Sequence, residues 1–124
     1  PVLAVCTGRS SEERVAEVRS WGVEVAVMPG RPEPSAVAGL LAGRGVQNVL
    51  LEGGARLAGA WWSAGLVDKV VAYISRRVLS GESPHPPLWG LGSKTVAAAV
   101  ELCETEVAAS GADVCVSGYV REAY

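Results

Sequence analysis

One stretch decides the fold of this chain, Val49-Leu50-Leu51-Glu52-Gly53-Gly54-Ala55-Arg56-Leu57-Ala58-Gly59. It begins as an apolar strand, turns at two glycines and enters a helix almost at once. Backbone amides at the amino end of a helix lack intrahelical acceptors, and the helix dipole favours a negative charge there. The order of strand, glycine turn and helix therefore predicts a phosphate-binding turn. The same order is also typical of purely architectural strand-to-helix turns, because glycine fits both.

Glu52 and Gly59 each allow two interpretations. Glu52 follows the strand, at the end where open α/β sheets bind ligands, so its carboxylate is a candidate to hold hydroxyl or amine groups of a substrate. Alternatively, it accepts hydrogen bonds from the amides of the next helix. Gly59 lies inside that helix, where glycine costs about 1 kcal/mol relative to alanine. It indicates close approach of either a neighbouring strand or a ligand.

Composition favours a folded protein made of one domain. The chain has 124 residues, of which 49% are hydrophobic and 19% are charged, and that length is sufficient for a hydrophobic core. A net charge of -2 gives no electrostatic reason to expect a nucleic-acid or membrane partner. Three widely spaced cysteines without a CxxC pair indicate neither a metal site nor a disulfide framework. Without a signal-peptide pattern in the opening residues, the cytoplasm is the expected location.

Strand and helix patterns alternate in the first half of the chain. Ser10 and Glu13 have the spacing of a capping box, which predicts the start of the first helix. Gly65 has the position of a helix C′ residue after the helix of the glycine turn. Strands are expected at residues 2–6, 23–27 and 46–51, with helices following Ser10, Ser35 and Gly54. Such alternation predicts parallel strands with helices on both faces of the sheet.

The second half has a different pattern. A β-rich run covers residues 68–79, and a loop rich in glycine and proline follows from Ser80 to about Ser93. Residues 100–108 and 112–121 flank Ala109-Ser110-Gly111 and are expected to form a terminal antiparallel hairpin. The predicted fold is therefore three-layer α/β, with a mostly parallel central sheet and a C-terminal antiparallel hairpin.

Three segments in order resemble the C-terminal reductase domain of the RibD family of riboflavin biosynthesis, which has a dihydrofolate-reductase-like fold. They are the glycine turn 49–60, then Ala64-Gly65-Leu66-Val67-Asp68-Lys69, and then the run from Ala72 to Gly81. A late Gly111-Ala112-Asp113-Val114-Cys115 is similar to the closing strand of the family. Lys69 stands where the family usually has an acidic residue, and Ser75 stands where it usually has proline.

The resemblance implies a function and a site. The family uses NADPH to reduce the ribosyl side chain of 5-amino-6-(5-phosphoribosylamino)uracil, a small-molecule substrate. By resemblance Glu52 contacts the substrate, while no catalytic residue is assigned because hydride transfer mainly requires positioning. The residues that the resemblance assigns to the NADPH phosphates are Gly53, Gly54, Ala55, Arg56, Leu57, Ala58, Gly59 and Ala60.

The family's reductase domain normally has about as much sequence again before this region. Residues 1–124 are therefore expected to be the C-terminal portion of such a domain, without its first strands. Exposed sheet edges and the family both favour a homodimer. Two alternatives stay open: a dihydrofolate-reductase-like reductase of another pterin or pyrimidine, and a non-catalytic module that binds nucleotides or dimerises.

Overall fold

The computed structural model describes residues 2–78, 86–90, 92–93 and 95–121. The chain divides into two compact units, residues 1–50 and 51–124. Half of the Gly/Pro loop predicted from Ser80 to Ser93 lies outside the described residues, as do Leu79, Ser80 and Gly81 of the family resemblance. The expectation that residues 1–124 form the C-terminal portion of one domain stays a prediction.

The first unit is built from two parallel strands and two helices. Strand β1 (Leu3–Thr7) pairs in parallel with strand β2 (Glu24–Met28), from Leu3 opposite Glu24 to Thr7 opposite Met28. Helix α1 (Glu12–Ser20) connects them and packs against β2, as a parallel pair requires a crossover. Helix α2 (Pro34–Ala42) follows, with proline in its first turn, where the missing N–H has no cost.

The cap of α1 differs from the predicted capping box. Ser11 is the N-cap residue, since its backbone is extended and its Oγ accepts a hydrogen bond from the Arg14 N–H at 3.3 Å. Ser10 precedes the cap, and its N–H instead donates to the Thr7 carbonyl at 3.0 Å. The Ser10–Glu13 pair was therefore wrong by one residue. Two adjacent serines give nearly the same sequence signal, and only the local backbone geometry distinguishes them.

Replacing Ser11 by alanine is expected to lower the free energy of unfolding by about 1 kcal/mol, because the Arg14 amide loses its acceptor. Ser10→Ala is the matched control and is expected to change that free energy by less than about 0.5 kcal/mol. Urea unfolding followed by circular dichroism measures both. An equal loss in the two variants would contradict the assignment of the cap.

The strand expected at residues 46–51 is not formed. Residues 46–54 have no regular structure, and the Leu50 side chain is 81% exposed. The described residues offer this segment no paired strand, so its apolar pattern has no ladder of hydrogen bonds to join. A run of β-branched and apolar residues has the side-chain composition of a strand. The strand forms only when a second strand pairs with its backbone.

The second unit begins with helix α3 (Ala55–Ser63). Its end is as predicted, because Gly65 takes a left-handed backbone with φ +67°. The Gly65 N–H donates to the Trp62 carbonyl at 2.9 Å, and the Leu66 N–H donates to the Trp61 carbonyl at 3.1 Å. These bonds satisfy carbonyls that the helix leaves free.

Three antiparallel strands complete the second unit. Strand β3 (Lys69–Ile74), strand β4 (Cys103–Ser110) and strand β5 (Asp113–Tyr119) form a sheet in the order β3-β5-β4. The β4–β5 hairpin turns at Gly111, where φ is +61°. A short 3-10 helix, Val96–Ala98, precedes β4. The Arg121 guanidinium donates to Asp68 Oδ1 at 3.0 Å and to the Gly65 carbonyl at 3.2 Å, so the end of β5 is tied to the turn before β3.

The mixed α/β class is confirmed, with a parallel pair of strands near the start and the antiparallel hairpin near the end. The described core is small. Trp61 is its buried large side chain, with 8% of its surface exposed. Many other large apolar side chains are exposed, among them Leu50, Val71, Tyr73, Ile74 and Val107.

Candidate functional site

The glycine turn leads directly into α3 and leaves the amino end of that helix uncapped. Gly54 is the N-cap residue, with an extended backbone at φ -62° and ψ 171° and no side chain to accept a hydrogen bond. Its carbonyl accepts from the N–H groups of Leu57 at 2.9 Å and Ala58 at 3.1 Å. Among the described residues, the N–H groups of Ala55 and Arg56 have no acceptor. These two amides are suited to bind an anion, because their N–H groups and the positive end of the helix dipole both face a ligand at the amino end of the helix.

The predicted cofactor residues fall into two groups along this helix. Gly53, Gly54, Ala55 and Arg56 meet at the amino end, where free donors are available. Ala60 lies about 7.5 Å further along the helix axis than Ala55, given a rise of 1.5 Å per residue. Residues 57–60 form the second group, where amides bond within the helix, as the N–H groups of Leu57 and Ala58 do with the Gly54 carbonyl. A phosphate contact through their amides is thus open to the first group alone, and the assigned role of the second group stays a prediction.

The two glycines of the turn have different steric surroundings. A Cβ added to Gly53 would collide with Cδ2 of Leu57, the far end of a flexible and half-exposed side chain, so the Leu57 side chain would have to move. A Cβ added to Gly54 would have no heavy atom of the described part of the chain within 4 Å. The space in front of Gly54 is therefore open, and glycine keeps it open beside the free amides.

Gly59 has a packing explanation. A Cβ at this position would collide with the backbone carbonyl of Trp89, whose carbonyl carbon would lie 2.7 Å away. The Trp89 N–H donates to the Ala55 carbonyl at 2.9 Å, which fixes residues 88–90 across the helix. The close approach that the sequence predicted is thus made by a loop of the chain, rather than by the strand or ligand that the pattern suggested. A further contact of Gly59 with a cofactor stays a prediction.

Trp89 is a candidate site residue that the sequence analysis missed. The Arg56 guanidinium carbon lies 5.9 Å from the centroid of the Trp89 ring, within the range of a cation–π contact. The ring remains 53% exposed, so an aromatic face and a cation lie together near the amino end of α3. The sequence feature that could have identified Trp89 is an aromatic residue before Gly90 in a Gly/Pro-rich loop. That feature does not indicate which helix or strand the loop crosses.

A shallow cavity of about 330 Å³ lies between α3 and the segment that Trp89 begins. Its walls include Gly59, Trp62, Ser63, Trp89 and Val100. The lining is mainly apolar and open to solvent, and it lies along the second turn of the helix rather than at the free amides. Of the two adjacent tryptophans, Trp61 belongs to the core and Trp62 lines this cavity.

Glu52 is exposed and has no hydrogen bond or ion pair to any described residue. Its interpretation as an acceptor for the helix amides is therefore wrong in this structure. The carboxylate stands one residue before the turn, free to bind a ligand group. Contact with a substrate stays a prediction.

Within residues 2–78, 86–90, 92–93 and 95–121, no three His, Cys, Asp or Glu side chains come close enough together to hold a metal ion. None of the helices in those ranges has the length and apolar character needed to cross a membrane.

Comparison with known proteins identifies similar sequences. A family profile, the RibD C-terminal domain, matches residues 1–116. The chain is 28% identical over 101 residues to the riboflavin biosynthesis protein RibD of Actinobacillus pleuropneumoniae. It is 30% identical over 78 residues to the chloroplastic riboflavin biosynthesis protein PYRR of Arabidopsis thaliana. The profile extends the similarity to the first half, where the sequence analysis had found no family motif.

The matched proteins are much longer than this chain. The alignment covers 79% of this chain and 27% of the Actinobacillus protein. It covers 63% of this chain and 13% of the Arabidopsis protein. The chain therefore spans about a quarter or less of the relatives that it matches.

Proposed function

The chain belongs to the family of RibD C-terminal domains, and on that premise we propose that it acts in riboflavin biosynthesis as an NADPH-dependent reductase domain. The proposed reaction is reduction of the ribosyl side chain of 5-amino-6-(5-phosphoribosylamino)uracil. The observation that carries the proposal is the uncapped amino end of α3, where the Ala55 and Arg56 amides are free beside the open space at Gly54.

Each part of the turn has a proposed role. The Ala55 and Arg56 amides bind the phosphates of the cofactor, and the Arg56 guanidinium adds a positive charge at the same end of the helix. The Glu52 carboxylate orients polar groups of the substrate. When bound, the cofactor supplies a hydride to the sugar carbon, so the protein has chiefly to position the reactants.

NADPH is expected to raise the melting temperature of the chain. At about 100 times the dissociation constant, binding stabilises the folded state by about 2.7 kcal/mol. For a chain of this length that corresponds to a shift of roughly 10 °C. Gly54→Val is expected to abolish the shift, because its side chain fills the space before the free amides without meeting any heavy atom of the described residues within 4 Å of its Cβ.

Gly30→Val is the matched control, since a Cβ there also enters open space, and it should keep the shift. Gly59→Val is unsuitable as a site probe, because its side chain would collide with Trp89. If NADPH does not change the melting temperature of the parent chain, the proposal of a cofactor site is overturned.

NADPH oxidation distinguishes the proposed reductase from its alternatives. With the pyrimidine substrate present, oxidation is expected to follow mixing with the chain, and absorbance of the reduced nicotinamide measures it. NADPH binding without oxidation of this substrate would instead favour the nucleotide-binding module or a reductase with a different pterin or pyrimidine substrate.

A further inference from the structure

Arg56 is a cation at the end of a helix where the helix dipole opposes a positive charge. It is the second residue of α3, and the first turn of that helix contains no acidic residue. Helix α1 has the opposite and more favourable arrangement, with Glu12 and Glu13 in its first turn and Arg19 in its last. The electrostatics of α3 alone therefore do not account for Arg56, whereas an anion bound at the amino end would make its charge favourable.

The Arg56 guanidinium is held by an aromatic ring rather than by a carboxylate. Its central carbon lies 5.9 Å from the centroid of the Trp89 ring, within the range of a cation–π contact. Glu52 is exposed and forms no ion pair with it. The ion pairs within the described ranges involve other arginines, namely Arg14, Arg44 and Arg121. A ring orients a cation without neutralising it, so the charge of Arg56 stays available to an anion.

The backbone of residues 88–90 fixes where the Trp89 ring lies. The Trp89 N–H donates to the Ala55 carbonyl at 2.9 Å, and the Trp89 carbonyl packs so closely against Gly59 that a Cβ there would overlap it. Both contacts use main-chain atoms, so a change of the Trp89 side chain leaves them in place. More than half of the ring surface is exposed. The effect of the ring can therefore be tested separately from the packing of the loop.

We propose that Trp89 is a positioning residue, whose ring holds the Arg56 guanidinium at the amino end of α3 so that it binds a phosphate of the cofactor. This role rests on the proposed function and adds to it a residue that acts through another. Helical side chains tilt toward the amino end of the helix, which directs Arg56 toward the free amides of the turn.

The shape of the guanidinium allows it to contact the ring and a phosphate at the same time. The group is planar, with its five N–H donors around its rim and no donor on its faces. One face against the Trp89 ring therefore leaves the rim free for charge-assisted hydrogen bonds to phosphate oxygens. Holding the long Arg56 side chain in place before binding also reduces the conformational entropy that is lost when the phosphate binds.

Calorimetric titration with NADPH tests this role. Trp89→Leu is expected to weaken binding about fivefold, the equivalent of a cation–π contact of about 1 kcal/mol. Trp89→Phe keeps an aromatic face and is expected to bind within about twofold of the parent chain. Arg56→Gln is expected to weaken binding about tenfold or more, because the charge-assisted hydrogen bond is lost.

Trp89→Leu in the Arg56→Gln background distinguishes positioning from a merely structural role. If the ring acts through the guanidinium, the leucine changes the affinity by less than about twofold there, because no cation remains to be held. A fivefold loss in both backgrounds would show that Trp89 acts through packing and would overturn the proposal. Trp89→Phe that binds as weakly as Trp89→Leu would also overturn it.

Trp21→Leu is the matched control, because the first unit contains a pair of the same kind. The Arg14 guanidinium carbon lies 5.6 Å from the centroid of the Trp21 ring, and NADPH affinity should be unchanged in this variant. An equal loss in both leucine variants would contradict the proposal. NADPH binding of equal strength to the parent chain and Trp89→Leu overturns the role of Trp89 and leaves the proposed function standing, whereas a parent chain that does not bind NADPH overturns both.

Discussion

Replacing Gly59 by alanine is expected to lower the free energy of unfolding by about 2 kcal/mol or more. The added methyl group would overlap the Trp89 backbone carbonyl, so either the helix or residues 88–90 must move. Overpacking of this kind typically costs about 1–3 kcal/mol, and here the obstacle is backbone rather than a flexible side chain. The loss remains after the roughly 1 kcal/mol by which alanine favours the helix. Urea unfolding gives the free energy.

The control for this prediction is Gly39→Ala in α2. Gly39 is also a helical glycine, but a Cβ there meets nothing within 4 Å. Alanine should therefore stabilise the protein by about 0.5 to 1 kcal/mol. The two substitutions are chemically identical, but the changes they are expected to make in the free energy of unfolding have opposite signs. A stabilised Gly59→Ala variant would show that Trp89 does not lie against the helix.

Trp61→Ala is expected to cost about 3 to 5 kcal/mol, the range for removing a buried tryptophan. Trp61 is the large apolar side chain that the described structure buries, so no comparable side chain can compensate for its loss. Because folded proteins are stable by only about 5 to 15 kcal/mol, this variant should unfold at much lower urea concentrations than the parent chain.

The neighbouring Trp62→Ala provides the control, since both changes occur in one helix and alter its propensity equally. Trp62 is half-buried and lines a cavity that is open to solvent. Its removal therefore enlarges an existing space, and a cost of less than about half is expected. Equal losses at the two positions would mean that the core is not centred on Trp61.

The local elements of the fold were largely predictable. Alternating valines marked β2, and glycine at a C′ position marked the end of α3, because both signals depend on residues close together in the chain. The prediction of a strand at residues 46–51 was wrong because a strand depends on residues that are distant in the chain. Its apolar run satisfies the side-chain pattern of a strand, yet pairing depends on a second segment that no local pattern specifies.

The candidate site was predictable only in part. Gly54 and the free amides of Ala55 and Arg56 follow from the order of strand, glycine turn and helix, since any uncapped helix leaves such donors. Trp89 lies 33 positions beyond Arg56 in the sequence, and its contact with α3 arises from the path of a loop. A helical glycine such as Gly59 indicates that something approaches closely. It does not identify what approaches.

The positions of the tryptophans allow the unfolding of the second unit to be followed by fluorescence. Three of the four tryptophans, Trp61, Trp62 and Trp89, belong to the second unit, while Trp21 is in the first unit and 61% exposed. Its ring lies beneath the Arg14 guanidinium, with 5.6 Å between the guanidinium carbon and the ring centroid. A chain that lacks only Trp21 keeps Trp61 in place, so its fluorescence reports on residues 51–124, while its far-ultraviolet circular dichroism reports on the helices and strands of both units. Denaturation curves from the two signals, laid over each other, reveal whether the halves of this polypeptide unfold as one cooperative body or in succession.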